Sequence, residues 1–182
     1  MKKKNPELYG QYPLWMVLVY NLAMLLVYLA GAYIMFKLHL ITGILYIIYL
    51  IIIEFTIYRE GCRHCFYYGK RCVSAKGLIT LIFFKRGDPK KFCQRELKWK
   101  DFIPQILIVL IPVIVGIALL ISRSFNLLIL IALIYPIFSW FCVNPIIYGK
   151  IACIHCKQGS ICCPALGFFA KGKKKSTGGE IK

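Results

Sequence analysis

Residues 40–57 read LITGILYIIYLIIIEFTI, and five positions later comes Cys62-Arg63-His64-Cys65-Phe66-Tyr67-Tyr68-Gly69-Lys70-Arg71-Cys72. A run that long and apolar crosses a bilayer as helix, for which about 20 residues suffice. It delivers the chain into a basic loop bearing cysteines. The same succession returns in the second half. Cys153-Ile154-His155-Cys156 repeats Cys62-Arg63-His64-Cys65 at an offset of 91 for both cysteines and the histidine. Pro13 stands 49 residues before Cys62 and Pro104 stands 49 before Cys153, so the offset holds without a gap across the apolar stretches. One deletion past the motif brings Gly69, Cys72 and Gly77 against Gly159, Cys162 and Gly167. The chain of 182 residues reads as two copies, 1–91 and 92–182, each with two apolar spans and then a Cys-x-His-Cys element followed by Gly, Cys and Gly. A repeat on this scale marks one structural unit used twice.

The spans expected are residues 14–36, 40–57, 102–121 and 126–147. Hydrophobic residues make up 59% of the chain and the mean hydropathy is +0.68, outside the range of a soluble domain. The first span is too long for the apolar region of a cleaved signal peptide, and its counterpart recurs in the second copy. The expected fold is an all-α integral membrane protein of four transmembrane helices. Its two tandem two-helix repeats would be related by a pseudo-two-fold axis along the membrane normal, each followed by a Cys-rich loop.

Charge sets the orientation. Of 24 Lys and Arg, three precede the first span, twelve lie between Arg59 and Lys100, and seven follow from Lys150 onward. The two short hairpins hold only Lys37 and Arg123. By the positive-inside rule, both termini and both cysteine motifs face the cytoplasm of a cell membrane. The net charge of +17 then reads as attraction to anionic lipid rather than to nucleic acid. Val73 to Arg86 is too short to span, is apolar in its middle and ends in cations, so it is expected to lie in the interface. Lys76, Lys85, Arg86, Lys171 and Lys173 would meet the lipid surface.

Nine cysteines on the reducing side of a membrane point to metal binding or thiol chemistry rather than structural disulfides. Two thiols two residues apart hold one ion in a tight turn, and a third beyond a bending glycine closes the site. The candidate ligands are therefore Cys62, His64, Cys65 and Cys72 in one copy and Cys153, His155, Cys156 and Cys162 in the other. Cys93 and Cys163 are further candidates without counterparts. The histidines, inside the turns, tend to point away from an ion held by their neighbours; the readings open to them are a second metal, hydrogen bonding that orients the shell, a reach across to the other copy, or a Cys3His site within each motif. A single site bridging both copies is a further arrangement. Zinc is the first expectation and an iron–sulfur cluster the second, both following from soft thiolate ligands. The residue order differs from that of covalent haem attachment, and no histidine lies in a span to hold a haem there.

Cations beside the motif (Arg59, Arg63, Lys70, Arg71, Lys150 and Lys157) are expected to lower the thiol pKa values, which keeps thiol–disulfide exchange at the Cys-x-x-Cys pairs as an alternative. Glu54, near the cytoplasmic end of its span, is expected to pair with Arg59. Metal transport is a third reading, opposed by spans that offer little polar path beyond Asn21 and Glu54. No Ser–His–Asp set, acid–base carboxylate pair or phosphate-binding glycine loop is present. The plan of spans and cysteine-rich loop resembles that of membrane protein palmitoyltransferases, but the chain lacks their Asp-His-His-Cys nucleophile, and no family is assigned. The functional expectation is a metal-bearing accessory or docking module with a soluble or membrane protein partner. Electron transfer follows if the metal is an iron–sulfur cluster.

Overall fold

The computed structural model describes residues 7–95, 99–122 and 126–163. Among these the chain is helical, without strands. Four helices are long and apolar enough to cross a membrane: Leu14–Leu38, Leu40–His64, Lys100–Ser122 and Leu127–Ala152. The protein is accordingly a membrane protein of four candidate spans. In chain order the helices are α1 (Leu14–Leu38), α2 (Leu40–Glu60), α3 (Lys76–Phe83), α4 (Pro89–Gln94), α5 (Trp99–Ser122), α6 (Leu127–Phe138), the short α7 (Asn144–Ile146) and α8 (Lys157–Ile161). The contacts divide the chain into two compact units. One comprises Met1–Tyr20, Ile57–Leu97 and Asn144–Lys182, the other Asn21–Thr56 and Lys98–Val143.

The second unit is the apolar one. Its core is Ile34, Leu119, Ile129, Ala132 and Leu133, drawn from α1, α5 and α6. Backbone groups in such a setting need internal partners, and the prolines show how they are found. Pro112 has no N–H to give the Ile108 carbonyl one turn earlier. The Tyr46 hydroxyl supplies the missing donor at 2.9 Å. Gly31 makes that possible, because a Cβ there would collide with the Tyr46 hydroxyl and come within 3.2 Å of Pro112 Cγ. Close approach over a small residue is a common way for membrane helices to pack. Tyr28 donates to Glu54 Oε1 at 2.7 Å. Arg59 pairs with its neighbour Glu60 at 3.4 Å. Side chains cap the helix ends at Thr42 and Asn126. Thr42 Oγ1 donates to the carbonyls of Met35 and His39, and Asn126 accepts from the Leu128 N–H at the start of α6.

The fourth span departs from the second. Where α2 runs as regular helix to Glu60, the helix after Phe138 widens into π turns at Ser139–Val143 and Ile147–Ala152. Pro136 precedes these turns and Pro145 sits between them. Each removes a donor and crowds the carbonyl a turn back, and the wider spacing accommodates the ring. Glu54, 91 residues before Pro145, sits within the regular α2 helix.

Candidate functional site

The first unit gathers the motif residues. Its core is Tyr12, Val17 and Tyr67, with Tyr9, Phe66, Cys65, Cys72 and Cys156 packed against it. Tyr12 is 2% exposed and donates to the Ala152 carbonyl at 2.6 Å, while its backbone N–H bonds the Arg71 carbonyl at 2.9 Å. Its hydroxyl also contacts the Cys156 thiol. The segment before the first span is thus held to both cysteine loops.

Each Cys-x-x-Cys turn is closed by the same backbone bond. Cys65 N–H donates to the Cys62 carbonyl at 3.3 Å and Cys156 N–H to the Cys153 carbonyl at 3.4 Å. The glycines of the first copy have distinct tasks. Gly69 takes φ +70°, the left-handed region that suits glycine, and its N–H bonds the Gly77 carbonyl at 2.9 Å. At Gly77 a Cβ would collide with the Tyr67 carbonyl and lie 2.6 Å from that of Lys70, while the Gly77 N–H donates to Cys72 Sγ at 3.4 Å. The glycine pattern therefore holds the third cysteine's loop. Gly167 lies outside the described residues.

The two motifs also hold each other. The Tyr67 hydroxyl accepts from the Lys157 N–H at 3.0 Å, and Gln158 Oε1 accepts from the Phe66 N–H at 2.6 Å. Gln158 is Tyr67 plus 91, and Lys157 is Phe66 plus 91. The two bonds thus join positions related by the same offset in sequence, each side chain capping a backbone N–H of the other motif. Cys65 and Cys156 are also 91 apart, and Cys156 is close enough to raise the pKa of Cys65.

The thiols lie in three linked neighbourhoods. Cys65 feels Cys156, Cys62 and Cys72; Cys153 feels Cys156 and Cys163; and Cys93 and Cys162 are joined in a disulfide with Cα atoms 5.3 Å apart. Among the described residues no three His, Cys, Asp or Glu side chains converge as a metal-holding group. His64 is buried and fully engaged: Arg63 Nε donates to its Nε2 at 2.9 Å, and its Nδ1 meets the Asp88 carbonyl at 2.9 Å. The ring packs on Gly87, whose Cβ it would occlude. His155 stacks on Tyr9 at 4.6 Å between centroids and bonds the Glu7 carbonyl through Nδ1 at 2.7 Å. Both rings thus act as ties to segments that precede spans. Lys76 is half-buried and Lys85 and Arg86 are exposed, while Lys171 and Lys173 lie outside the described residues.

At Cys65, Cys153 and Cys156 the expected lowering of thiol pKa is reversed. Burial, the largest cause, pushes Cys65 up to about 12, and the neighbouring thiols of Cys156, Cys62 and Cys72 add to it against a bond from the Tyr67 backbone. Burial likewise pushes Cys153 up to about 12, with Cys156 and Cys163 contributing, and raises Cys156. Desolvation of these sulfurs outweighs the flanking cations, of which Arg63 bonds His64 and Lys70 and Lys157 lie over the Phe66 ring.

Tyr12, Tyr67 and Gln158 are the residues that reading the motif alone overlooks. A usable signal was present: Phe66-Tyr67-Tyr68 is an aromatic run in a basic loop, and such side chains need a core. Comparison with protein-family models, curated proteins and solved structures finds no match for this chain.

Proposed function

We propose that this protein is a four-span membrane module whose two Cys-x-His-Cys elements, facing the cytoplasm, form one joint thiolate centre for a soft metal ion. Zinc is the first choice and an iron–sulfur cluster the second. The observation that carries this reading is the reciprocal capping of Phe66 by Gln158 and of Lys157 by Tyr67. Reciprocity of equivalent residues is what a two-fold relation between repeats produces, and it brings Cys65 and Cys156 to the shared boundary. Cys62 and Cys72 join from the first copy and Cys153 and Cys163 from the second. Ligation draws these sulfurs together from their places around Tyr12 and Tyr67 and displaces their protons. The ligands proposed are these thiolates; His64 bonds the Asp88 carbonyl through Nδ1 and accepts from Arg63 at Nε2, and His155 bonds the Glu7 carbonyl through Nδ1. The centre orders loops that are short and basic, and so presents a fixed cytoplasmic surface to a protein partner. With an iron–sulfur cluster the same surface would pass electrons.

Elemental analysis and an absorption spectrum of protein purified anaerobically in mild detergent test this. Zinc without colour, or iron with sulfide and visible absorption, is the expected result. Metal-free protein with every loop intact overturns it.

A second reading, thiol–disulfide exchange, has the Cys93–Cys162 bond in its favour. The raised thiol pKa values of Cys65, Cys153 and Cys156 oppose it, because the thiolate is the nucleophile. It predicts a mixed disulfide with a partner when Cys93 or Cys162 is replaced singly.

A further inference from the structure

Helix α3 is inside out for a helix in water. Gly77 and Thr80 are its buried residues, Thr80 at 0% exposure with its hydroxyl donating back to the Lys76 carbonyl at 2.6 Å. Leu78, Leu81, Ile82 and Phe83 point outward, at 41%, 55%, 77% and 54% exposure. Glycine is required on the inner side by the Tyr67 and Lys70 carbonyls, so the helix cannot roll to hide its apolar face without breaking the Cys72 loop. Eight residues are too few to cross a bilayer. At the C-terminal end Lys85, Arg86, Lys90 and Lys91 are exposed, and the acid among them, Asp88, is occupied in capping α4 through the Lys90 N–H at 2.9 Å. The helix begins 16 residues after α2 ends at Glu60, a short tether from the end of a span.

We propose that α3 is a monolayer anchor: it lies in the boundary between headgroups and acyl chains of the cytoplasmic leaflet, with Leu78, Leu81, Ile82 and Phe83 among the chains and Lys85 and Arg86 on anionic headgroups. A water-facing docking site would leave this apolar face to a soluble protein; the density of cations and the tether to a span favour lipid. The leaflet assignment rests on the orientation proposed above, whereas insertion does not. Because Gly77 donates to Cys72 Sγ, seating of α3 also fixes one edge of the thiol centre.

The test uses the full chain carrying Ile82→Trp, reconstituted in nanodiscs of phosphatidylcholine and phosphatidylserine that include lipids brominated at defined depths. Both faces of the disc are identical, so a wrong orientation does not affect the result. Lys90→Trp is the control. The emission added by Ile82→Trp is expected to fall by about half or more with bromines close to the glycerol end, consistent with insertion about 5–10 Å deep. Lys90→Trp should stay accessible to iodide. With Lys85→Glu and Arg86→Glu added, the quenching should lose its dependence on phosphatidylserine. Ile82→Trp emission that iodide quenches and bromines do not would overturn the proposal. So would emission that neither quencher reaches, which places a protein surface over the helix.

Discussion

Gly77→Ala tests whether the glycine pattern holds the cysteine loop. The added methyl meets the Tyr67 carbonyl and that of Lys70, at 2.6 Å from the latter, and both are backbone groups that no side-chain rotation can clear. Relief requires the first turn of α3 to move, which weakens the Gly69 N–H bond to the Gly77 carbonyl and the Gly77 N–H bond to Cys72 Sγ. Overpacking of this kind costs about 1–3 kcal/mol and each weakened hydrogen bond about 1 more, so a local loss of about 3 kcal/mol is expected. At tenfold per 1.4 kcal/mol, the loop opens about a hundredfold more often. Pulsed alkylation of metal-free protein followed by peptide mass spectrometry reads this as faster labelling of Cys72. Gly10→Ala, with nothing within 4 Å of its Cβ, is the matched control and should change nothing. Equal labelling of Cys72 in both variants would refute the argument.

Two other outcomes follow from the site. In metal-free protein, Cys65 and Cys153, pushed up to about 12, should react with a maleimide about a thousandfold more slowly at neutral pH than the same thiols in denatured chain. Because their folded pKa values exceed the unfolded ones, the stability they contribute is intact below about pH 8.5 and falls as pH rises toward 12, which thermal melts across that window will detect. His64→Ala leaves the Asp88 carbonyl and the Arg63 side chain without their partner and frees the linker at Gly87. It should raise hydrogen exchange at residues 87–94 while leaving metal content unchanged; loss of the metal would make His64 a ligand after all.

The spans were legible because a run of about 20 apolar residues has few other fates; their starts fall within two residues of expectation, while the second and fourth run on to His64 and Ala152 rather than ending at 57 and 147. What the sequence could not convey was local register. Pro145 announces a disturbance in the fourth span, but whether the chain kinks or widens into π turns depends on the packing around it. The cysteine turns were legible from spacing, and so was the bend at Gly69. The partners of the His64 and His155 rings, the Asp88 and Glu7 carbonyls, lie 24 and 148 residues away and no spacing rule reaches them. Tyr12 reads as an interfacial aromatic beside a span and instead fills the loop core, since a hydroxyl that can reach the Ala152 carbonyl lets the ring be buried. The thiol pKa values were misjudged for a related reason. Charges adjacent in sequence are easy to count, whereas burial is a property of the fold.

The joint centre is tested most directly by metal per chain in Cys65→Ser and Cys156→Ser, each purified anaerobically beside the unaltered protein. A shared site predicts that either single replacement removes the whole metal content, because the two sulfurs serve one centre. Loss of half from each variant, with the remainder abolished only in the double replacement, would mean two independent sites and contradict the account.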